Sequence, residues 1–377
     1  MTKGEFLPLE EVCTVEYGTR VVQKRDGGSI YPVYGGGGAT FRMDTSNRED
    51  RLVVSRFGMS DECTRFVTGK FFLNDSGLTV SPRNGKLLPR FLDFQILSLN
   101  DEIFALGKGA AQKNLDVPAF RSLPIFVPSN TREQQRIVAI LDQAFDGITT
   151  AKANAEKNLQ NARALFESHL QSVFTRHGQG WVEKSLAELG TITSSKRIFK
   201  SEYVKSGVPF YRTKEIKELA NDREITTELF ISEDRYKEIE TCFGVPKEGD
   251  ILLTAIGTIG EIWVVEGDSD FYFKDGNVLW LKEFNSVNPH FLKYVLLSFV
   301  ESLNKMSHGA AYSALPIQRL NAHRVFLPSQ AEQGQIVSAL DALREETQRL
   351  ESLYQRKLAA LDDLKKSLLH QAFSGAL

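Results

Sequence analysis

EQQRIVAILD occupies residues 133–142 and EQGQIVSALD occupies residues 332–341, each just after a Pro-Ser pair. One helix start is therefore written twice in one chain. Past each start, apolar residues recur at alternating three- and four-residue steps. The first series is Ile137, Leu141, Ala144, Ile148, Ala151, Ala155, Leu159, Ala162 and Phe166. The second is Ile336, Leu340, Leu343, Thr347, Leu350, Tyr354, Leu358 and Leu361. A spacing near 3.5 is the seam of a coiled coil. Pro128 and Pro328 end the preceding strands, and Ser129 and Ser329 lie near the N-caps. The ends match too, VFT at 173–175 with AFS at 372–374, so neither segment has gained or lost a residue. At about 42 residues each, the helices would run ~63 Å.

Working outward, the repeat covers most of the chain. LEEVCTVEYGTRV at 9–21 matches LAELGTITSSKRI at 186–198, and YPVY at 31–34 matches VPFY at 208–211. LVVSRFG at 52–58 then matches ILLTAIG at 251–257, and LPRFLDFQILS ending at Ser98 matches NPHFLKYVLLS ending at Ser298. GAAQKNLDVPAFRSLPIFVPS at 109–129 matches GAAYSALPIQRLNAHRVFLPS at 309–329. The second copy holds about 22 extra residues between Tyr211 and Asp250, in a Glu/Lys-rich stretch. A loop tolerates such an insertion, whereas a heptad segment would be rotated by it. Length is the property that matters in the helices.

The globular part of each copy mixes short β-rich runs with Gly-rich turns and one helical stretch. The predicted fold is α+β: a tandem-duplicated chain with two α/β domains (1–128 and 176–328) joined by two long helices (129–175 and 329–377). These pair as an antiparallel coiled coil, giving a dumbbell with pseudo-two-fold symmetry.

Composition narrows the class. Hydrophobic residues at 42% and charged residues at 25% suit a globular protein of two or three domains. No apolar run has the ~18–20 residues of a membrane helix, and no membrane partner is expected. Cys13, Cys63 and Cys242 are scattered and odd in number, so a reducing cytoplasm is expected. Net charge is −2. Residues 1–128 hold 16 basic and 15 acidic groups and residues 176–328 hold 19 and 21, so neither domain is strongly basic.

The doubled Pro followed by EQ-x-x-IV-x-x-LD, the closing LLHQAFSGAL, and the motifs YPVYGGGG, GVPFYRTKEI, GDILLTAIGTIG and GAAQKNLD resemble the specificity subunit of type I restriction-modification systems. The resemblance spans nearly the whole chain. It implies two target recognition domains, each reading half of a bipartite double-stranded DNA site, with the paired helices setting the gap. It also implies two modification subunits that carry S-adenosylmethionine and methylate adenine N6, and restriction subunits that join some such assemblies. This chain is expected to bind no cofactor itself.

The residues agree with a non-catalytic subunit. NPHF at 288–291 lacks the second proline of an adenine methyltransferase motif and reads as a helix start. YGGGGATF at 34–41 lacks phosphate-loop spacing, and the six histidines never fall at metal-ligand spacing. For DNA contact, RVVQKR at 20–25 and SSKRIFK at 194–200 hold equivalent places, offering Arg20, Lys24 and Arg25 against Ser194, Ser195, Lys196 and Arg197. Arginine can bond guanine O6 and N7 together; a solvated charge cluster is the other reading. Arg56, Arg212, Lys214, Thr254 and Thr258 lie at strand ends or turns, and could serve those turns instead. KGAAQK and SHGAAYS add Lys108, Gln112, Lys113, His308 and Tyr312, where glycine permits close backbone approach and Gln can read adenine. Gln134, Arg136, Gln335 and Lys365 are the candidates for docking partner subunits, or belong to a solvated helix face. Two other functions compete: a protein adaptor with two interaction domains that binds no DNA, and a self-sufficient methyltransferase, which the missing motifs disfavour.

Overall fold

The computed structural model describes residues 4–176, 178–256, 259–306 and 315–374. It divides into two compact units, Met1–Lys157 with Tyr354–Leu377, and Asn158–Leu353. Both boundaries fall inside long helices. These are Thr131–Thr175 and Gln330–Ser374, each 45 residues.

The first unit is built on a six-stranded sheet. Its order is Cys13–Tyr17, Gly77–Pro82, Arg48–Ser55, Thr64–Leu73, Tyr31–Tyr34, Ala39–Met43. Neighbours are antiparallel except Tyr31–Tyr34, which lies parallel to the ten-residue strand Thr64–Leu73. Helix Pro89–Ser98 packs on this sheet and buries Phe91, Phe94 and Ile96 completely or nearly so. The other side of that helix receives the start of one long helix and the end of the other. Phe94 meets Phe145 at 5.2 Å between ring centroids, and Phe91 meets Phe373 at 5.3 Å.

The second unit repeats the construction. Helix Pro289–Met306 places Tyr294 against Phe166 and Phe291 against Phe174, at 6.3 and 5.5 Å. Phe174 and Phe373 come from matching ends of the two long helices, so each domain buries the start of its own helix and the finish of its sister. One thing differs. The long central strand of the first unit is here two short pieces, Ile262–Val264 and Tyr272–Phe273, and the sheet divides into two four-stranded sheets. The extra residues of this copy contribute helices Thr213–Ala220 and Glu233–Phe243. The second is capped at its start by Ser232 Oγ, which accepts from Arg235 N, and stops at Gly244 with φ of +81°.

All seventeen seam positions read from the sequence are buried or half-buried. The direction of pairing follows from the first unit. Lys152 bonds Asp362 at 2.5 Å, and Lys365, further along one helix, lies over the ring of Phe145, further back along the other. In the second unit Arg163 bonds Glu351 at 2.8 Å, and Leu170 shares a core with Val337 and Leu340. The helices are antiparallel. Among the described residues no helix is long and apolar enough to cross a membrane.

The repeated helix start has a structural explanation. Gln134 is fully buried; its Oε1 accepts from Leu88 N at 2.7 Å and its Nε2 donates to Lys86 O at 2.9 Å. Gln333 does the same to Asn288 N and Pro328 O, at 2.8 and 3.1 Å. The two aspartates follow suit: Asp142 accepts from Arg90 at 2.8 Å, and Asp341 from the Tyr294 hydroxyl at 2.5 Å. EQ-x-x-IV-x-x-LD is thus an anchor holding each helix to its own domain. This corrects the partner-docking expectation for Gln134, which has no surface to offer. The N-caps differ by a residue: Ser329 Oγ accepts from Glu332 N, as expected, but Asn130 Oδ1 caps the first helix by accepting from Glu133 N.

Candidate nucleic-acid interface

In the first unit, short backbone hydrogen bonds gather several connecting segments into one rim. Gly18 N donates to Gly77 O at 3.1 Å and Thr19 N to Leu73 O at 3.0 Å. Asn74 N donates to Tyr34 O, Arg56 N to Ser76 O, Leu115 N to Arg56 O and Met59 N to Lys113 O. The Gly-rich loop joins them. Gly36 N donates to Ser76 Oγ, and Gly36 O accepts from Ser55 Oγ and from Arg65. A side chain on Gly36 would meet Phe57 O at 2.3 Å, so the close approach requires glycine there.

On this rim the Arg56 guanidinium lies 4.9 Å from the ring centre of Tyr17 and 4.5 Å from that of Phe57. Both aromatics are exposed, at 40% and 38%. Lys113 sits 3.9 Å over Phe104, and Gln112 is exposed beside Gly58, whose φ is +62°. Lys108 is exposed and pairs with Asp116 at 2.5 Å, which holds the Asp116 carboxyl below its usual range. The rim joins aromatic faces to cations, the combination that stacks on bases and meets phosphates. Tyr17, Phe57 and Arg65 were not candidates from the sequence. Aromatics beside glycine in EYGT and RFGM were the available signal.

Arg20 follows directly from Thr19 and is exposed. Lys24 and Arg25 belong to the short helix Gln23–Asp26, which packs by the strand Ala39–Met43, and Arg25 is paired with Asp26 at 2.9 Å.

The second unit repeats the backbone frame with other side chains. Ala255 N donates to Asn277 O at 2.8 Å and Leu315 N to Ala255 O at 2.9 Å, the bonds that Arg56 makes in the first unit. Ala255, at 2% exposure, stands where Arg56 stood, and Ile256 where Phe57 stood. Thr254 has no exposed surface; its Oγ1 accepts from Glu261 N at 3.0 Å, so it serves the turn and the expected DNA contact is withdrawn. Ser195 is buried too, which corrects its reading as a surface contact. Ser194 Oγ is half-buried and accepts from Gly276 N at 3.0 Å.

Lys196 and Arg197 are exposed, with Arg197 on Asp275 at 2.7 Å and Lys196 4.8 Å over Phe243. Arg212 is drawn inward between Glu215 and Glu228, at 2.7 and 2.8 Å, and Lys214 also reaches Glu228, at 3.3 Å. The buried Glu215 is pushed up by desolvation, but its bonds from Arg212 outweigh this and hold it ionised below the usual carboxylate range. Both cations of YRTKEI are therefore tied to acids. Thr258, His308 and Tyr312 lie outside the described residues.

Along the helices, Gln335 is exposed. Arg136 is exposed and bonds Glu133 at 2.7 Å, and Lys365 covers Phe145. Leu165 and Leu364 occupy matching positions of the two helices, off the seam, and are 52% and 46% exposed.

Two domains with one backbone frame and unlike rims, each anchored to antiparallel helices, define a duplicated recognition protein. The family model for the type I restriction modification DNA specificity domain matches residues 2–160 and 178–357, and the chain belongs to that family. It is 26% identical over 355 residues to a putative type I restriction enzyme specificity subunit of Haemophilus influenzae, covering 89% of this chain and 86% of that one. A structure solved in work on complex assembly and conformational transition of the type I R-M system superposes with a TM-score of 0.74. That match has 18% identity and covers 99% of this chain and 98% of the other. The HsdS subunit from Thermoanaerobacter tengcongensis is similar with a TM-score of 0.57 and 19% identity, covering 99% and 97%.

Proposed function

We propose that this specificity subunit reads an asymmetric bipartite DNA site, one half per recognition domain, with the paired helices fixing the number of base pairs between the halves. It performs no chemistry itself. Two modification subunits, which carry S-adenosylmethionine, dock along the helices and methylate adenine N6 where this chain directs them, and restriction subunits add cleavage where the system has them. The observation that carries the reading is the shared backbone frame with exchanged side chains, Arg56 and Phe57 against Ala255 and Ile256. Two readers of one build but different surface select different sequences, so the halves of the target differ.

The protein-docking surface is best matched by Gln335, Lys365 and the exposed pair Leu165 and Leu364, since matching positions on both helices suit two copies of one partner. Cytoplasmic location follows from the DNA target. The deciding experiment maps methylated adenines in cells that express this chain with its modification subunit, then with residues 4–128 replaced by those of a family member. One half-site should change and the other persist. A change in both halves, or in neither, would refute one-half-per-domain reading.

A further inference from the structure

The strands Thr191–Ser194 and Val278–Lys282 are paired in the second unit, with Thr191 opposite Lys282 and Thr193 opposite Trp280. Beside them Phe243, the last residue of the inserted helix, closes one side of a cavity of about 340 Å³. Two cations line it, and each is held over an aromatic ring: Lys196 is 4.8 Å from Phe243 and Lys282 4.6 Å from Trp280. No carboxylate is among the lining residues; the nearest acid to Lys282 is the exposed Glu283, at 3.8 Å.

The hydroxyls add a second observation. Ser195 is 9% exposed and its Oγ has no hydrogen-bond partner among the described residues. The Tyr272 hydroxyl accepts from Lys196 N at 2.7 Å, which leaves its own proton to donate. A buried hydroxyl without a partner is costly to leave unmet, and an oxyanion would answer the two ammonium groups of Lys196 and Lys282 and the hydroxyls of Ser195 and Tyr272 together.

The duplication supplies an internal control. The same cross-strand pairs in the first unit are Thr14 with Ser81 and Glu16 with Thr79. A carboxylate stands there, and Arg48 reaches across to Thr79 Oγ1 at 3.1 Å. The fold therefore does not require a basic cavity at this place. It belongs to the copy that carries the inserted helix.

We infer that this cavity is a phosphate-binding site of the second recognition domain. The phosphate group belongs either to a DNA strand, an arm that rests on the proposed DNA reading, or to a free nucleotide. Ammonium groups serve as point charges for such an anion, and the open face of Phe243 can take a base.

The test compares the full chain with the double variant Lys196→Thr, Lys282→Ser, which restores the residues of the first copy, and with Ser195→Gly. Circular dichroism checks folding of each. Inorganic phosphate and adenosine monophosphate are titrated by calorimetry at fixed ionic strength, and duplex DNA at several salt concentrations in the complex with modification subunits. A free-nucleotide site gives saturable adenosine monophosphate binding, tighter than phosphate and weakened at least about tenfold in the double variant. A strand site lowers the salt slope of duplex binding by about 1–2 in the double variant. Binding and slope that are the same in the folded double variant as in the parent would overturn the proposal. Should the complex bind no duplex at all, the DNA reading fails, while the two small-anion titrations still decide the cavity.

Discussion

Gln134 and Gln335 were indistinguishable as letters, two glutamines on the polar side of a helix start, yet one is sealed and the other wet. Gln134→Ala removes the partner of the Leu88 N–H and the Lys86 carbonyl and leaves a hole where a fully buried side chain stood, and Gln333→Ala does the same to the Asn288 N–H and the Pro328 carbonyl in the second unit. Each should cost about 2 kcal/mol or more, whereas Gln335→Ala should stay within about 0.5 kcal/mol; chemical denaturation of the three variants checks this. Asp93 is a second buried polar group, and burial lifts its carboxyl to about 6 against the pull of Arg90 and Arg51. A carboxyl raised above its unfolded value stabilises most at low pH and loses that contribution as pH climbs from about 4 through 6. Asp93→Asn should therefore raise the free energy of unfolding at pH 8 by on the order of 2 kcal/mol and give little gain at pH 4, as denaturant titrations at the two pH values would read. On the rim, Arg56→Ala should weaken DNA binding by the assembly by about 1–3 kcal/mol if the guanidinium meets a base, with methylation relaxed in one half-site alone. Competition binding with single-base variants of the target reads this directly.

Among the elements, the two helices show how length can be guarded while loops drift. Both are 45 residues long although their domains differ by a strand arrangement and two helices. The seam was plain in the sequence because a heptad pattern is local: each residue's facing is set by its neighbours three and four away. Buried Leu141, Ile148, Ala155 and Ala162 stand seven apart, and the half-buried positions fill in between. Inserting four residues into both helices would lengthen each by ~6 Å, nearly two base pairs of duplex. The preferred gap in the methylated site should widen accordingly, as mapped by single-molecule sequencing. An unchanged gap would remove the ruler from the proposed function.

At the scale of the whole molecule, balanced charge limits what this chain does unaided. Net charge is −2, and Arg25, Lys108, Arg197, Arg212 and Lys214 are already matched to acids. Isolated subunit should bind duplex weakly, and the assembly with modification subunits tightly and with steep salt dependence; filter binding across salt concentrations separates the two. Comparable affinity of the lone chain at physiological salt would contradict that division of labour. Family membership argues for the DNA reader over the protein adaptor that the near-neutral charge had left open.

Sequence alone determined the duplication, the two long helices, their apolar seam with its antiparallel pairing, and the family, because repeats and heptads are written in the order of residues. Only the tertiary structure decided which polar residues face water. It showed Gln134, Thr254 and Ser195 turned inward, drew Tyr17 and Phe57 to Arg56, and divided one sheet into two around an insertion. Those outcomes depend on contacts between residues tens of positions apart, and no local pattern of letters carries the position of a distant neighbour.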